Sequence, residues 1–75
     1  MPTPLIFDAW VVNVAGEDGF YAGIYLTEEA ADLASGAEEL RGRERYVDPV
    51  RALTLGGGLT GYILDYDEPV PITPS

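Results

Sequence analysis

The sequence predicts a small α+β domain with the element order β-β-α-β-β, in which one amphipathic helix packs on a three- or four-stranded, mainly antiparallel sheet. Three observations predict this fold. Residues 5–25 have the pattern of a hairpin, residues 28–41 have the apolar spacing of a helix, and residues 50–67 hold two short β-prone runs around glycines. The 75 residues suffice for one domain, which we place at residues 1–68, followed by an extended proline-rich tail at 69–75.

The first two strands are predicted on either side of a turn at Asp18-Gly19. The run LIFDAWVVNVA before the turn is β-branched and aromatic, and FYAGIYL after it resumes the pattern. The first strand is apolar on both faces, so one face needs cover from Val70 and Ile72, from a symmetric subunit or from another protein. Gly23 indicates a bulge or a close approach of another segment.

The helix is predicted to begin after the N-cap Thr27 and to end near Arg41, before Gly42. At 100° per residue its apolar positions gather on one face, which we expect to be buried: Ala30, Leu33, Ala34, Ala37 and Leu40. Three acids form a stripe on the opposite face: Glu28, Asp32 and Glu39. This stripe is either an ordinary solvated face or a negative surface that docks on a basic groove of another protein.

The glycines at positions 56, 58 and 61 have the spacing G-x-G-x-x-G of a dinucleotide-binding turn. That motif opens a helix and is followed about 20 residues later by an acid. Here Pro69 comes too soon for such a helix, and the chain ends before the acid could occur. Lysine is absent, which removes the phosphate-binding loop as well. We therefore interpret GGGLTGY as a hairpin loop whose glycines supply positive φ angles.

The composition excludes several kinds of chemistry. The chain has no cysteine, histidine or lysine, so thiol and histidine nucleophile systems lack their usual groups. We expect no enzymatic activity, no cofactor and no metal. The formal charge of −9 repels nucleic acid and anionic membrane surfaces, so we expect neither as a direct partner. The N-terminal residues do not have the pattern of a signal peptide or a membrane span, which predicts a cytoplasmic protein.

Two further groups are candidate sites near the C-terminus. Asp65, Asp67 and Glu68 follow the glycines, and strand alternation would place the two aspartates on one face. They could bind a cation, or they could be solvated acids that discourage edge pairing. Tyr62 and Tyr66 are either packing residues or exposed anchors for a partner.

All four arginines lie between positions 41 and 51. Arg41, Arg43 and Arg45 follow the predicted helix, where they would complement its C-terminus and pair with nearby acids. A pocket for a small anion is the alternative.

In its size, its acidity and its lack of a catalytic set, the chain resembles the small proteins of phages and mobile elements that include anti-CRISPR inhibitors and DNA mimics. The resemblance implies an inhibitor that binds a basic, nucleic-acid-handling protein. No residue is assigned by the resemblance; the charge pattern of the sequence itself gives the expected contacts as Glu28, Asp32 and Glu39, with Asp65, Asp67, Glu68, Tyr62 and Tyr66 as secondary candidates. The alternatives are a small accessory subunit that forms a homodimer through an apolar sheet face, and a metal- or anion-binding module.

Overall fold

A computed structural model describes residues 4–54 and 60–73 of the chain. The elements, in chain order, are β1 (Leu5–Val14), β2 (Phe20–Tyr25), α1 (Glu28–Ser35), a 3₁₀ turn (Glu38–Leu40), β3 (Arg45–Thr54), β4 (Thr60–Ile63) and β5 (Pro69–Thr73). Within these residues the five strands close into a barrel in the order β1-β2-β5-β4-β3. The predicted open sheet of three or four strands is therefore wrong, and the single helix α1 packs on the outside of a barrel.

The barrel closes through the segment that the sequence placed outside the sheet. β5 runs antiparallel to β4, with Val70 opposite Gly61, and parallel to β2, with Ile72 opposite Ile24. Pro69 and Pro71 lack N–H groups, but successive residues of a strand direct these groups to opposite edges. Two prolines at alternate positions therefore remove donors along one edge only, and the strand survives.

The barrel interior is the first of two hydrophobic clusters. Its buried members come from all five strands: Ala9, Val11, Ile24, Ala52, Ile63 and Val70. Ile72 packs against them, half-buried. Of the three kinds of cover considered for the second face of β1, the chain's own Val70 and Ile72 supply it. Burial of such side chains stabilises the fold by about 25 cal/mol per Å² of apolar surface.

The second cluster lies between the outer surface of the barrel, mainly β1, and the segment formed by α1 and the 3₁₀ turn. Its buried members are Val12, Val14, Tyr25, Ala31 and Leu40. The predicted helical face is wrong at Leu33, which is 80% exposed, whereas Ala31 is fully buried. The helix also ends earlier than predicted, because the chain leaves α1 at Gly36 and turns into the 3₁₀ segment that directs Leu40 onto β1.

β2 contains the bulge that Gly23 predicted. Val11 pairs with Ile24 and Asn13 with Phe20, so residues 21–23 lie opposite Val12 alone. Both Ala22 and Gly23 have positive φ, at 56° and 103°. A Cβ at position 23 would lie 2.1 Å from the carbonyl oxygen of Pro71, so the predicted close approach is also present.

β3 and β4 form an antiparallel pair, with Leu53 opposite Tyr62. The connection that we predicted as a glycine hairpin loop, residues 55–59, lies outside the described residues. Gly61 does not belong to a loop, because it is a buried residue of β4. A Cβ there would meet Ile24 Cδ1 at 3.2 Å, so this glycine allows dense packing inside the barrel.

Candidate interaction surface

Every aspartate and glutamate of the chain lies in the described residues and is exposed. Three of the thirteen pair with an arginine: Asp8 with Arg51, Glu17 with Arg43 and Glu38 with Arg41. Three others lie against a neutral polar side chain: Asp48 accepts from Asn13, Glu44 accepts from Tyr46, and Glu39 lies beside Tyr21. These contacts are on the surface, where single ion pairs stabilise a protein by less than about 1 kcal/mol.

The arginines are all engaged within the chain. Besides the three ion pairs, Arg45 Nη1 donates to the carbonyl oxygens of Leu40 and Arg43, each at 2.9 Å. Leu40 ends the 3₁₀ turn, so Arg45 satisfies a carbonyl at the end of a helical segment. This arrangement agrees with the interpretation that the arginines pair with acids and helix ends, and it gives no support to an anion pocket.

Seven carboxylates remain that have neither an ion pair nor a side-chain hydrogen bond within residues 4–54 and 60–73. Three of them are on α1 and three are on the turn between β4 and β5; the full set is Asp18, Glu28, Glu29, Asp32, Asp65, Asp67 and Glu68. We refer to residues 65–68 as the acidic turn. The uncompensated negative charge of the chain is therefore concentrated on one helix and on one end of the barrel.

The structure places the three acids of the predicted stripe on two different elements. Glu28 and Asp32 lie one turn apart on α1 and are both exposed. Glu39 belongs to the 3₁₀ turn, because the chain becomes extended at Ala37, so the argument that placed all three on one helical line is wrong. Glu39 instead lies beside Tyr21, where burial of the ring and the neighbouring carboxylate both raise the pKa of the tyrosine.

The structure also changes the premise of the cation-site interpretation of Asp65 and Asp67. β4 ends at Ile63, and Asp65 has a φ of 73°, so strand alternation does not relate the two aspartates. Within the described residues, which include all thirteen acids, no three carboxylates are grouped closely enough to hold a metal ion.

The two tyrosines that were candidate anchors have different surroundings. Tyr66 packs against the barrel interior, and its ring lies 5.1 Å from that of Phe20 in a tilted arrangement that aromatic pairs favour. It also brings the acidic turn next to the β1–β2 loop, since a Cβ at Gly19 would lie 3.5 Å from the Tyr66 hydroxyl. Tyr62 points outward and is 41% exposed, so only Tyr62 is available as a surface anchor.

Tyr62 belongs to a cross-strand row of apolar residues on the outer surface, which the sequence analysis missed. Ile6 pairs with Leu53, Leu53 with Tyr62, and Tyr62 with Pro69. We call these four residues the apolar row. The signal was present in the alternation of residues 61–64, where Gly61 and Ile63 are buried while Tyr62 and Leu64 are exposed, but recognising it required the register of four strands.

Next to the apolar row, β1 and β3 form a shallow depression of about 370 Å³, lined by Asp8, Ala9, Trp10, Pro49, Val50 and Arg51. Its polar groups are the exposed Asp8 and Arg51, whose Oδ1 and Nε atoms are 3.5 Å apart. A pocket that binds a small molecule usually encloses most of its ligand and presents several convergent polar groups. This depression is open and holds a single solvated ion pair, so it neither encloses a ligand nor presents several polar groups to one.

The fold and the surface thus define a small closed barrel that carries one external helix, an unbalanced negative surface and an exposed apolar row. No protein-family model, curated protein or solved structure matches the chain. Among the described residues, no helix has the length and the hydropathy that crossing a bilayer would require.

Proposed function

We propose that this chain is a non-enzymatic interaction protein that binds a basic protein partner and inhibits it. A single observation carries the proposal: all four arginines are engaged inside the chain, while seven carboxylates have neither an ion pair nor a side-chain hydrogen bond within the described residues. A surface of this kind attracts a positively charged partner over a distance and accelerates association. A nucleic-acid-handling protein offers such a partner surface, because it must neutralise phosphates with lysine and arginine.

The non-enzymatic part of the proposal draws on the burial of the acids. Catalysis by a carboxylate pair needs one group whose pKa is raised, most often by an apolar environment. All thirteen carboxylates here are exposed. We place the protein in the cytoplasm, where an inhibitor of phage or anti-defence type would meet nucleic-acid-handling proteins.

Affinity capture tests this proposal with two variants of equal charge change. The first, E28Q/D32N/E39Q, neutralises the predicted helix-side acids, and the second, D65N/D67N/E68Q, neutralises the acidic turn. We expect the unmodified chain to capture one or a few proteins of basic isoelectric point from source cells at low salt. We expect at least one variant to lose them.

The same eluates provide the contradicting outcomes. Capture that neither variant weakens, or that about 0.3 M salt leaves unchanged, would contradict an electrostatic partner. Inhibition is tested next, by adding the chain to the captured protein with a labelled nucleic acid. Displacement of the nucleic acid supports inhibition, and undisturbed binding contradicts it.

Self-association is the second candidate, and the exposed apolar row is the observation that favours it. A homodimer through this face would make the chain an accessory subunit. Sedimentation velocity over a dilution series tests it: a dimer that persists on dilution supports the subunit role, and a monomer throughout contradicts it.

A further inference from the structure

We propose that the partner binds on the apolar row together with the acidic turn, and that it inserts an aromatic or aliphatic side chain flanked by lysine or arginine. This inference rests on the proposed function and assigns it a surface. It differs from the sequence prediction, which placed the main contact on the helix-side acids.

The apolar row is continuous across four neighbouring strands. Adjacent strands are about 4.8 Å apart, so a row across β1, β3, β4 and β5 spans roughly 14 Å. Ile6 is 61% exposed, and Tyr62 and Pro69 are exposed beside the half-buried Leu53. Leu64 adds a fifth apolar side chain at the edge, where its N–H donates to the carbonyl of Arg51.

The helix covers a different part of the outer barrel surface. The residues of β1 that pack beneath it are Trp10, Val12 and Val14, towards the C-terminal end of the strand. Ile6 lies near the other end of β1 and points to the same outer side, because side chains two positions apart share a face. The described residues therefore leave the apolar row uncovered.

The negative charges beside the apolar row indicate the chemistry of the partner that binds there. The acidic turn begins three residues after Tyr62 and ends directly before Pro69, so along the chain it adjoins two members of the row. Asp65, Asp67 and Glu68 have no ion pair within the described residues. Interfaces commonly combine an apolar centre with a polar rim, and aromatic anchors at the centre dominate their affinity. A partner that matches this surface carries an apolar side chain with cations beside it.

A second copy of the chain fits this surface less well. Each copy carries a net charge of −9, and the acidic turn adjoins the row in both. A face-to-face dimer would therefore bury the rows while bringing two strongly negative molecules together. A basic partner gains from the same charges.

The experiment is a selection from random peptides displayed on beads, with the full chain as bait. The row variant is I6T/Y62T, whose β-branched threonines suit strand positions. The rim variant is D65N/D67N/E68Q, in which asparagine tolerates the positive φ of residue 65. The matched control is L33Q, which removes an even more exposed apolar side chain, 80% accessible, from the helix. Urea unfolding of each variant verifies the fold, and the rim variant tests the surface even if I6T/Y62T does not fold.

We expect the selection to enrich peptides that combine an aromatic or large aliphatic residue with lysine or arginine. Their affinity, measured by fluorescence anisotropy, should fall at least roughly tenfold for the row variant and several-fold for the rim variant. It should be unchanged for L33Q.

Four outcomes would overturn the inference, and they separate it from the proposed function. Basic peptides whose binding is weakened by E28Q/D32N/E39Q and not by I6T/Y62T would place the binding surface at the helix-side acids and leave the proposed function intact. Basic peptides that bind every variant equally would contradict the row alone. Acidic or uncharged peptides on the row would contradict both proposals. A dimer that I6T/Y62T abolishes would assign the row to a second copy.

Discussion

At the scale of single residues, the bulge in β2 shows how one glycine permits the barrel to close. Gly23 has a φ of 103°, in the region that side chains with a Cβ rarely adopt, and Pro71 of β5 lies directly against it. Thr73 reinforces the same junction, because its Oγ1 donates to the carbonyl of Ala22 at 2.6 Å. β2 and β5 share only two paired positions, so the junction between them is short.

We predict that Gly23→Ala lowers the free energy of unfolding by at least about 2 kcal/mol, because its Cβ would lie 2.1 Å from Pro71 O and force β5 away from β2. Gly42→Ala is the matched control. Gly42 also has a positive φ, of 78°, but nothing lies within 4 Å of its Cβ position, so only the strain of about 1 kcal/mol applies. Urea denaturation measures both, and equal losses would show that contact with Pro71 does not matter.

At the scale of elements, α1 is shorter than its sequence pattern and turns a different face to the barrel. The predicted face assumed a regular helix through residue 41 and therefore included Leu33. The helix begins as predicted at Thr27, whose Oγ1 accepts from the Ala30 N–H at 3.1 Å. It ends at Gly36, because continuing a helix through a glycine costs about 1 kcal/mol relative to alanine. Only the contacts of α1 with β1, β2 and β3 determine that Ala31 is buried.

Glutamine substitutions on the two faces of α1 test this orientation. Ala31→Gln should cost about 2 to 4 kcal/mol, because a larger polar side chain would be forced into a fully buried position. Leu33→Gln should change the free energy of unfolding by less than about 0.5 kcal/mol. Chemical denaturation gives both values, and the reverse order would restore the face that the sequence pattern predicted.

β5 is the element whose role differs most from the sequence prediction. A chain truncated after Glu68 should lose its cooperative unfolding transition, because Val70 leaves the interior and both β2 and β4 lose a neighbour. Val70→Ala in the full chain should be milder, with a loss of about 1 to 3 kcal/mol. Near-ultraviolet circular dichroism against urea follows both. A truncated chain with an unchanged transition would mean that residues 69–75 are a dispensable tail.

At the scale of the whole molecule, an imbalance of charge acts on a small core. Three of the four arginines form ion pairs, and the fourth donates to backbone carbonyls. The other ten side-chain carboxylates have no arginine partner within the described residues, so they repel one another in the folded state. A chain of this size buries only about 60% of the surface that its unfolded form exposes, so modest electrostatic terms matter.

We therefore predict that sodium chloride stabilises the fold, with Tm rising by roughly 2 to 6 °C between about 0.02 and 0.5 M, as screening weakens the repulsion. The variant D65N/D67N/E68Q, which removes three negative charges from the acidic turn, should show a higher Tm at low salt and a smaller rise. Calorimetry measures both. A Tm that is independent of salt would mean that the carboxylates do not repel one another appreciably.

The sequence by itself determined the features that depend on neighbouring residues. The hairpin around Asp18-Gly19, the helix start at Thr27, the bulge at Gly23 and the exposure of the acids all follow from local preferences and solvation. The sequence also implied that both faces of β1 are covered, which holds at the buried Val11 and Val12 but not at the exposed Ile6.

Only the tertiary structure decided the features that depend on register and closure. The prolines in residues 69–73 predict that this segment is not a strand. Its pairing with β2 and β4 shows that it is one, because the missing N–H groups affect only one of its two edges. Tyr62 and Tyr66 are four residues apart and chemically alike, yet one is an exposed member of the apolar row and the other packs against Phe20. The row itself joins residues 6, 53, 62 and 69, which hydrogen bonding between strands brings together and no local pattern connects.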